Sequence, residues 1–215
     1  MAKRIFVTAT NTDIGKTYVT ALLMKAFTKK GYKVGVIKPV ETGVSDGVYP
    51  DGDLLLRLLK ELNPLAWSLE VEDIVPISYE LPAAPLIASD FGEIDYAKID
   101  HAIMQQEAFC DVLLIEGAGG LYVPLDNEVM MIDLIQKVDA AALLVTHCSL
   151  GCINDALLSQ KALEAQNINY ATVFNCKADD KSFEEVSAPY FRATAKEIFK
   201  SASDIDTLCD VLYNL

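Results

Sequence analysis

The 215-residue chain has no cluster of Lys or Arg longer than two adjacent residues and a net charge of −13, so the electrostatic footprint of a nucleic-acid binder is missing. It has no apolar run near the roughly 18 residues of a membrane span and no hydrophobic signal segment at its start, which argues against membrane association and predicts a cytoplasmic protein. Its five cysteines (Cys110, Cys148, Cys152, Cys176 and Cys209) are odd in number, scattered and never spaced C-x-x-C. That pattern argues against a disulfide framework and predicts reduced thiols. Cys148 and Cys152 lie beside His147, but no second ligand pair follows at the spacing a structural zinc site needs. Gly and Pro are not in excess and 52% of residues are apolar, so disorder is not expected. With no repeat, low-complexity tract or linker, residues 1–215 read as one domain. Any positive field must be local, around Lys16 and Lys38.

What is present is concentrated near the start. Ile5, Phe6 and Val7 form a short apolar run that reads as a buried strand, and a polar loop follows. Gly15-Lys16-Thr17 then opens a helix carrying Ala21, Leu22, Leu23, Met24, Ala26 and Phe27. Strand, loop, Gly-Lys-Thr and helix in that order is the context of a phosphate-binding loop. Backbone N–H groups and a helix N-terminus face an anion, Lys16 adds a point charge, and the Thr17 hydroxyl suits Mg²⁺. Thr10 stands where the strict motif has its first glycine. The alternative is an ordinary strand-to-helix turn with a solvated Lys16, which leaves the phosphate-type sites farther along unexplained.

Apolar strands are predicted at about 4–9, 33–38, 112–116, 140–146 and 169–174, with a further short strand within Ile74–Tyr79. Helices are predicted at about 16–30, 53–62, 96–108, 130–137, 152–166, 183–199 and 203–213. This is an α/β pattern: a mostly parallel sheet flanked by helices on both faces, P-loop NTPase-like, with ligands collecting at the carboxyl ends of the strands. Lys38-Pro39 there aims a cation at the crevice of Lys16, and Thr42-Gly43 offers a hydroxyl and unhindered backbone. Glu116-Gly117-Ala118-Gly119-Gly120 sets a carboxylate where a P-loop protein has an acidic Mg²⁺ ligand, before a loop flexible enough for close approach. Asp53 opens a leucine-rich helix, as an N-cap or as a further Mg²⁺ carboxylate. Gly151 frees the turn into the helix after the fourth strand. Asn175, just past the last predicted strand, suits reading a nucleotide base or simply making a turn.

The series Val7–Thr17, Lys38–Gly43, Glu116–Gly120 and Leu150–Asn154, in this order and spacing, resembles the dethiobiotin synthetase family. The resemblance implies an ATP- and Mg²⁺-dependent carboligase of biotin synthesis acting on 7,8-diaminononanoate and CO₂. An amine of the substrate forms a carbamate, the carbamate attacks the γ-phosphate, and the second amine closes the ureido ring and expels phosphate. Carried onto this chain, Lys16 and Lys38 are catalytic. Asp13, Ile14, Gly15, Lys16, Thr17, Tyr18, Glu116, Gly117, Ala118, Gly119 and Asn175 bind nucleotide, and Thr17, Asp53 and Glu116 surround the metal. Thr12 and Thr42 meet the substrate in one subunit of a homodimer, while Gly151, Cys152, Ile153, Asn154 and Tyr190 hold its carboxylate from the other.

Two departures from the family pattern stand out. Ala9 replaces a glycine, at a strand residue where a methyl is tolerable. The family's Leu-Gly-x-Ile-Pro segment, which cradles adenine, has no counterpart in residues 177–215, where Pro189 is the only proline; this predicts loose selectivity for the base. A ParA/MinD-like ATPase switch is the alternative, but such proteins carry a second lysine within the loop, and residues 9–14 have none. Corrinoid-amidating synthases need a glutaminase portion for which 215 residues leave no room.

Overall fold

Because the strand segments are apolar at successive positions, neither of their faces can be left to water. The computed structural model describes residues 2–177, 180, 182–194 and 196–215. In chain order its elements begin β1 (Lys3–Ala9), α1 (Lys16–Lys29), β2 (Val34–Ile37), β3 (Glu41–Thr42), α2 (Gly52–Leu62), α3 (Val71–Ile74), β4 (Ser78–Tyr79), α4 (Pro85–Ala88) and α5 (Tyr96–Glu107). They continue β5 (Val112–Gly120), α6 (Met131–Lys137), β6 (Ala141–Thr146), α7 (Cys152–Ala165), β7 (Tyr170–Phe174), α8 (Ala188–Ala193), β8 (Phe199–Lys200) and α9 (Ile205–Asn214). The main sheet is parallel with order β2-β5-β1-β6-β7-β8, and β3 pairs with β4 apart from it.

Alternation along the central strands feeds two cores. Ile5, Val7, Val112 and Leu114 pack with Leu23, Phe27, Leu55, Leu59 and Leu212 from α1, α2 and α9. Phe6, Leu113, Ile115 and Leu144 pack on the opposite face with Ile99, Ile103, Ile132 and Leu163 from α5, α6 and α7. With β5 and β6 on either side of β1, the loop after β1 opens into a crevice at the carboxyl edge.

Register then decides which side chains meet. Ile37 pairs with Ile115, so the next residues, Lys38 and Glu116, lie side by side. Between β1 and β5, Val7 pairs with Glu116 but Ala9 with Gly120, so β5 bulges over the intervening glycines. The close approach expected there is partly internal: a Cβ on Gly117 would stand 2.7 Å from the Phe6 ring.

Three sequence expectations change. The single helix expected over 183–199 is a π-turn at Phe183–Ser187 followed by the short α8, after which the chain extends to pair Val173 with Phe199. Thr194 ends α8 by turning its hydroxyl onto the Tyr190 carbonyl. The strand sought in Ile74–Tyr79 is confined to β4, because Asp73 accepts from the Glu70 N–H and caps α3 just before it. Nor are all cysteines reduced: Cys148 and Cys176 form a disulfide, with Cα atoms 4.9 Å apart. Thr146 pairs with Phe174, so two residues farther along each strand the same register brings the two sulfurs together. Cys110, Cys152 and Cys209 are free and buried, and burial pushes the Cys110 and Cys209 thiols up to about 12.

Candidate functional site

The loop between β1 and α1 is held open from both sides. The Thr10 N–H donates to the Val145 carbonyl at 3.0 Å, and the Asn175 amide donates to the Ile14 carbonyl at 2.9 Å. Gly15, at φ +96°, caps α1 without a side chain, so the first-turn N–H groups face the crevice. A Cβ at Gly15 would collide with the Asn175 amide as well as strain the backbone.

Beneath this loop sits a cluster of two cations, two carboxylates and two hydroxyls. Lys38 Nζ donates to Asp51 Oδ2 at 2.6 Å and to Glu116 Oε1 at 2.9 Å. Thr17 Oγ1 lies 2.9 Å from Asp51 Oδ1 and 2.8 Å from Glu116 Oε1, while Thr20 donates to Glu116 Oε2 at 2.7 Å. Lys16 is buried, with its Nζ 3.5 Å from the Asn11 carbonyl. Burial lowers the Lys16 pKa, with Glu116 pulling the other way. For Lys38 burial also acts downward, but the Glu116 and Asp51 carboxylates outweigh it, so the pKa rises and the group stays an ammonium. Burial acts to raise the Asp51 pKa, yet Lys38 overcomes it and holds it low.

This geometry tests the residues for a divalent cation. The Thr17 hydroxyl has one proton and two carboxylate oxygens in reach, so one of those contacts is acceptor against acceptor and leaves lone pairs for a cation. Two carboxylates and a hydroxyl suit Mg²⁺, which takes few protein ligands and shares the rest with phosphates and water. Among the described residues no group of three or more His, Cys, Asp or Glu converges as a metal cage.

The cleft above the cluster, about 390 Å³, is lined by Thr12, Asp13, Gly15, Lys16, Thr17, Lys38, Thr42, Asp51, Ala118 and Gly119. A family model described as an AAA domain matches residues 3–213. The chain is 44% identical over 189 residues to the ATP-dependent dethiobiotin synthetase BioD of Sulfurovum sp., covering 88% of this chain and 90% of that one. To the same-named protein of Wolinella succinogenes it is 39% identical over 215 residues, 98% of each. This chain belongs to the dethiobiotin synthetase family. Its fold is shared more widely: MinD in the MinC:MinD complex of Aquifex aeolicus superposes with a TM-score of 0.54 at 20% identity, covering 92% of this chain and 79% of that one.

Within this family member, the predicted residues do not all converge. Asp53 is turned away, its carboxylate accepting from the Tyr49 N–H at 2.9 Å, and Asp51 reaches the cluster in its place. The sequence reading placed Asp53 at the opening of the helix, but α2 begins at Gly52 and Asp51 is its N-cap residue, so Asp51 and not Asp53 faces the cluster. Tyr18 is exposed on α1, and Asn175 spends its amide on the loop and its carbonyl on the Ser201 hydroxyl. Gly151, Cys152, Ile153, Asn154 and Tyr190 do not line this cleft. The Cys152 side chain is wholly buried and its N–H donates to the Ser149 carbonyl.

Besides Asp51, two residues went unnoticed. Thr20, one helical turn beyond Lys16, is legible only once Glu116 is known to lie beneath α1. Glu41 accepts from the Asp51 and Gly52 N–H groups at 2.7 and 3.0 Å, fixing the start of α2. Burial lifts its pKa above the usual carboxylate value, and these two donors oppose the lift.

Proposed function

We propose that this cleft closes the ureido ring of dethiobiotin from 7,8-diaminononanoate, CO₂ and ATP. The observation that carries the reading is the Lys16–Lys38–Asp51–Glu116 cluster opening onto Thr12 and Thr42 in a chain of this family. Two ammonium groups and two carboxylates roughly cancel, so the site lacks the positive charge a triphosphate requires. Thr17, Asp51 and Glu116 would hold Mg²⁺, which supplies that charge when bound.

The loop N–H groups and Lys16 hold the phosphates, with the γ-phosphoryl toward Lys38. One substrate amine adds to CO₂ and loses a proton, giving a carbamate that the Thr12 and Thr42 hydroxyls orient. A carbamate oxygen attacks the γ-phosphorus and ADP leaves, forming a carbamic–phosphoric anhydride. Lys38, kept as an ammonium by its carboxylates, is suited to stabilising the charge that shifts from carbamate to phosphoryl and not to accepting a proton. The second amine then attacks the anhydride carbon, loses a proton and expels phosphate. The same reading takes the protein as a cytoplasmic homodimer in which α7 and Tyr190 of the second subunit hold the substrate carboxylate.

The test is phosphate release from MgATP with and without diaminononanoate and bicarbonate, with the product weighed by mass spectrometry. Release that needs both and yields a ring-closed urea is the expected result. Release from MgATP alone, indifferent to the diamine, would replace this reading with an ATPase switch.

A further inference from the structure

The Cys148–Cys176 disulfide stands where the reading above has no use for it. Cys148 is flanked by His147 and Ser149, and Cys176 by Asn175 and Lys177; those four neighbours, with Asp13 and Ile14, line a second cleft of about 350 Å³. That cleft continues from the phosphate loop along the carboxyl ends of β6 and β7. His147 contacts Ser149 Oγ at 2.6 Å and Asp155 Oδ2 at 3.0 Å, so its ring is fixed from both nitrogens. Asn175, immediately before Cys176, holds the phosphate loop through the Ile14 carbonyl. The disulfide thus ties together the two walls of the cleft and the residue that anchors the loop.

We propose that Cys148–Cys176 is a reversible thiol–disulfide modification site, reduced by dithiols, whose oxidised form binds nucleotide more tightly. The inference rests on the proposed nucleotide site. Cys148 is 1% exposed and Cys176 is half-buried, so an incoming thiolate reaches the Cys176 sulfur. It forms a mixed disulfide there, and Cys148 leaves as a thiolate that takes up a proton. The second thiol of the dithiol attacks the mixed disulfide, releases the Cys176 thiol and departs oxidised, so two electrons pass to the protein. A low-molecular-weight disulfide reverses both steps. Both walls remain after reduction, but each must be ordered separately when nucleotide binds, and ordering costs of this size weaken affinity about five-fold.

The experiment compares MgATP affinity by calorimetry for the whole protein equilibrated with oxidised or reduced dithiothreitol. Iodoacetamide labelling of each state after acid quench and denaturation counts the free thiols, since Cys110, Cys152 and Cys209 are buried in the folded chain. The Cys148→Ser/Cys176→Ser variant and the Cys209→Ser variant are run alongside. The expected result is three reactive thiols and tight binding when oxidised, five thiols and about five-fold weaker binding when reduced. The double variant should bind weakly in both buffers, and Cys209→Ser should respond like the unaltered chain. Equal affinity in the two redox states of the unaltered protein overturns the proposal, as do five reactive thiols after oxidation or a redox response that survives in the double variant. If neither state binds MgATP, the nucleotide reading beneath it falls instead.

Discussion

At the scale of single residues, two aspartates two positions apart have opposite fates. Asp51 meets both Lys38 and Thr17, whereas Asp53 bonds the backbone of its own turn. Asp51→Asn is therefore expected to cut kcat/KM about 100-fold or more and to raise the Mg²⁺ concentration needed for half-maximal rate. Asp53→Asn should stay within about two-fold, as expected of an exposed residue that only caps a turn. Steady-state kinetics with Mg²⁺ titrated at fixed ATP distinguishes them, and equal losses would return the metal role to Asp53. Lys16 offers a second test through pH. Burial lowers its pKa in the free protein, and a bound triphosphate favours its ammonium form, raising the value again. Nucleotide affinity is then constant while Lys16 is charged in both states and falls as pH rises through the free-protein value. The slope should reach at most about ten-fold per pH unit, with proton uptake on binding. Calorimetry at alkaline pH in buffers of different ionisation enthalpy reads that uptake, and net release would contradict it.

At the scale of elements, the start of α2 is the piece that sets the cluster. Glu41 on β3 bonds the N–H groups of Asp51 and Gly52, and a Cβ on Gly52 would stand 2.6 Å from Val75 Cγ2 and 2.9 Å from Glu41 Oε2. Gly52→Ala is expected to destabilise the protein by about 1–3 kcal/mol in chemical denaturation and to raise the Mg²⁺ requirement by displacing Asp51. Unchanged stability and metal response would show that Val75 and Glu41 give way freely. This element also marks the limit of what the sequence tells. Five of the six strands of the main sheet were legible because they are apolar runs buried on both faces, whereas the two-residue β8 ended a segment that read as helix. The phosphate loop was legible because Gly15-Lys16-Thr17 follows one of those runs. Lys38 and Glu116 were legible as strand-end residues, and sheet register explains their pairing. Asp51 and Glu41 were not, because their placement depends on β3 and β4, two-residue strands with no periodicity to read. The Cys148–Cys176 bond was hidden for the same kind of reason, since a partner 28 residues away is defined by register and not by local spacing.

At the scale of the whole molecule, apolar side chains are exposed where the phosphate loop meets α7. Leu150 is 89% exposed, Tyr122 68% and Leu158 62%, and a groove of about 640 Å³ runs past Tyr122 and Leu158 to Thr10 and Asn11 at the start of the loop. A surface of this kind beside the cleft supports the homodimer reading, because a second subunit seated on it would cover apolar area and reach the substrate at once. Sedimentation velocity at micromolar concentration is expected to give twice the 23.5 kDa chain mass. Leu158→Glu, an exposed position where a charge costs the monomer about 0.5 kcal/mol or less, should sediment as a folded monomer whose melting temperature no longer depends on protein concentration. If the α7 start of the neighbour holds the diamine carboxylate, that variant should also raise the KM for diaminononanoate while leaving the affinity for MgATP as it was. A dimer that survives Leu158→Glu would move the interface to another face, and a monomeric unaltered protein with full ligase activity would leave the substrate carboxylate to residues of the same subunit.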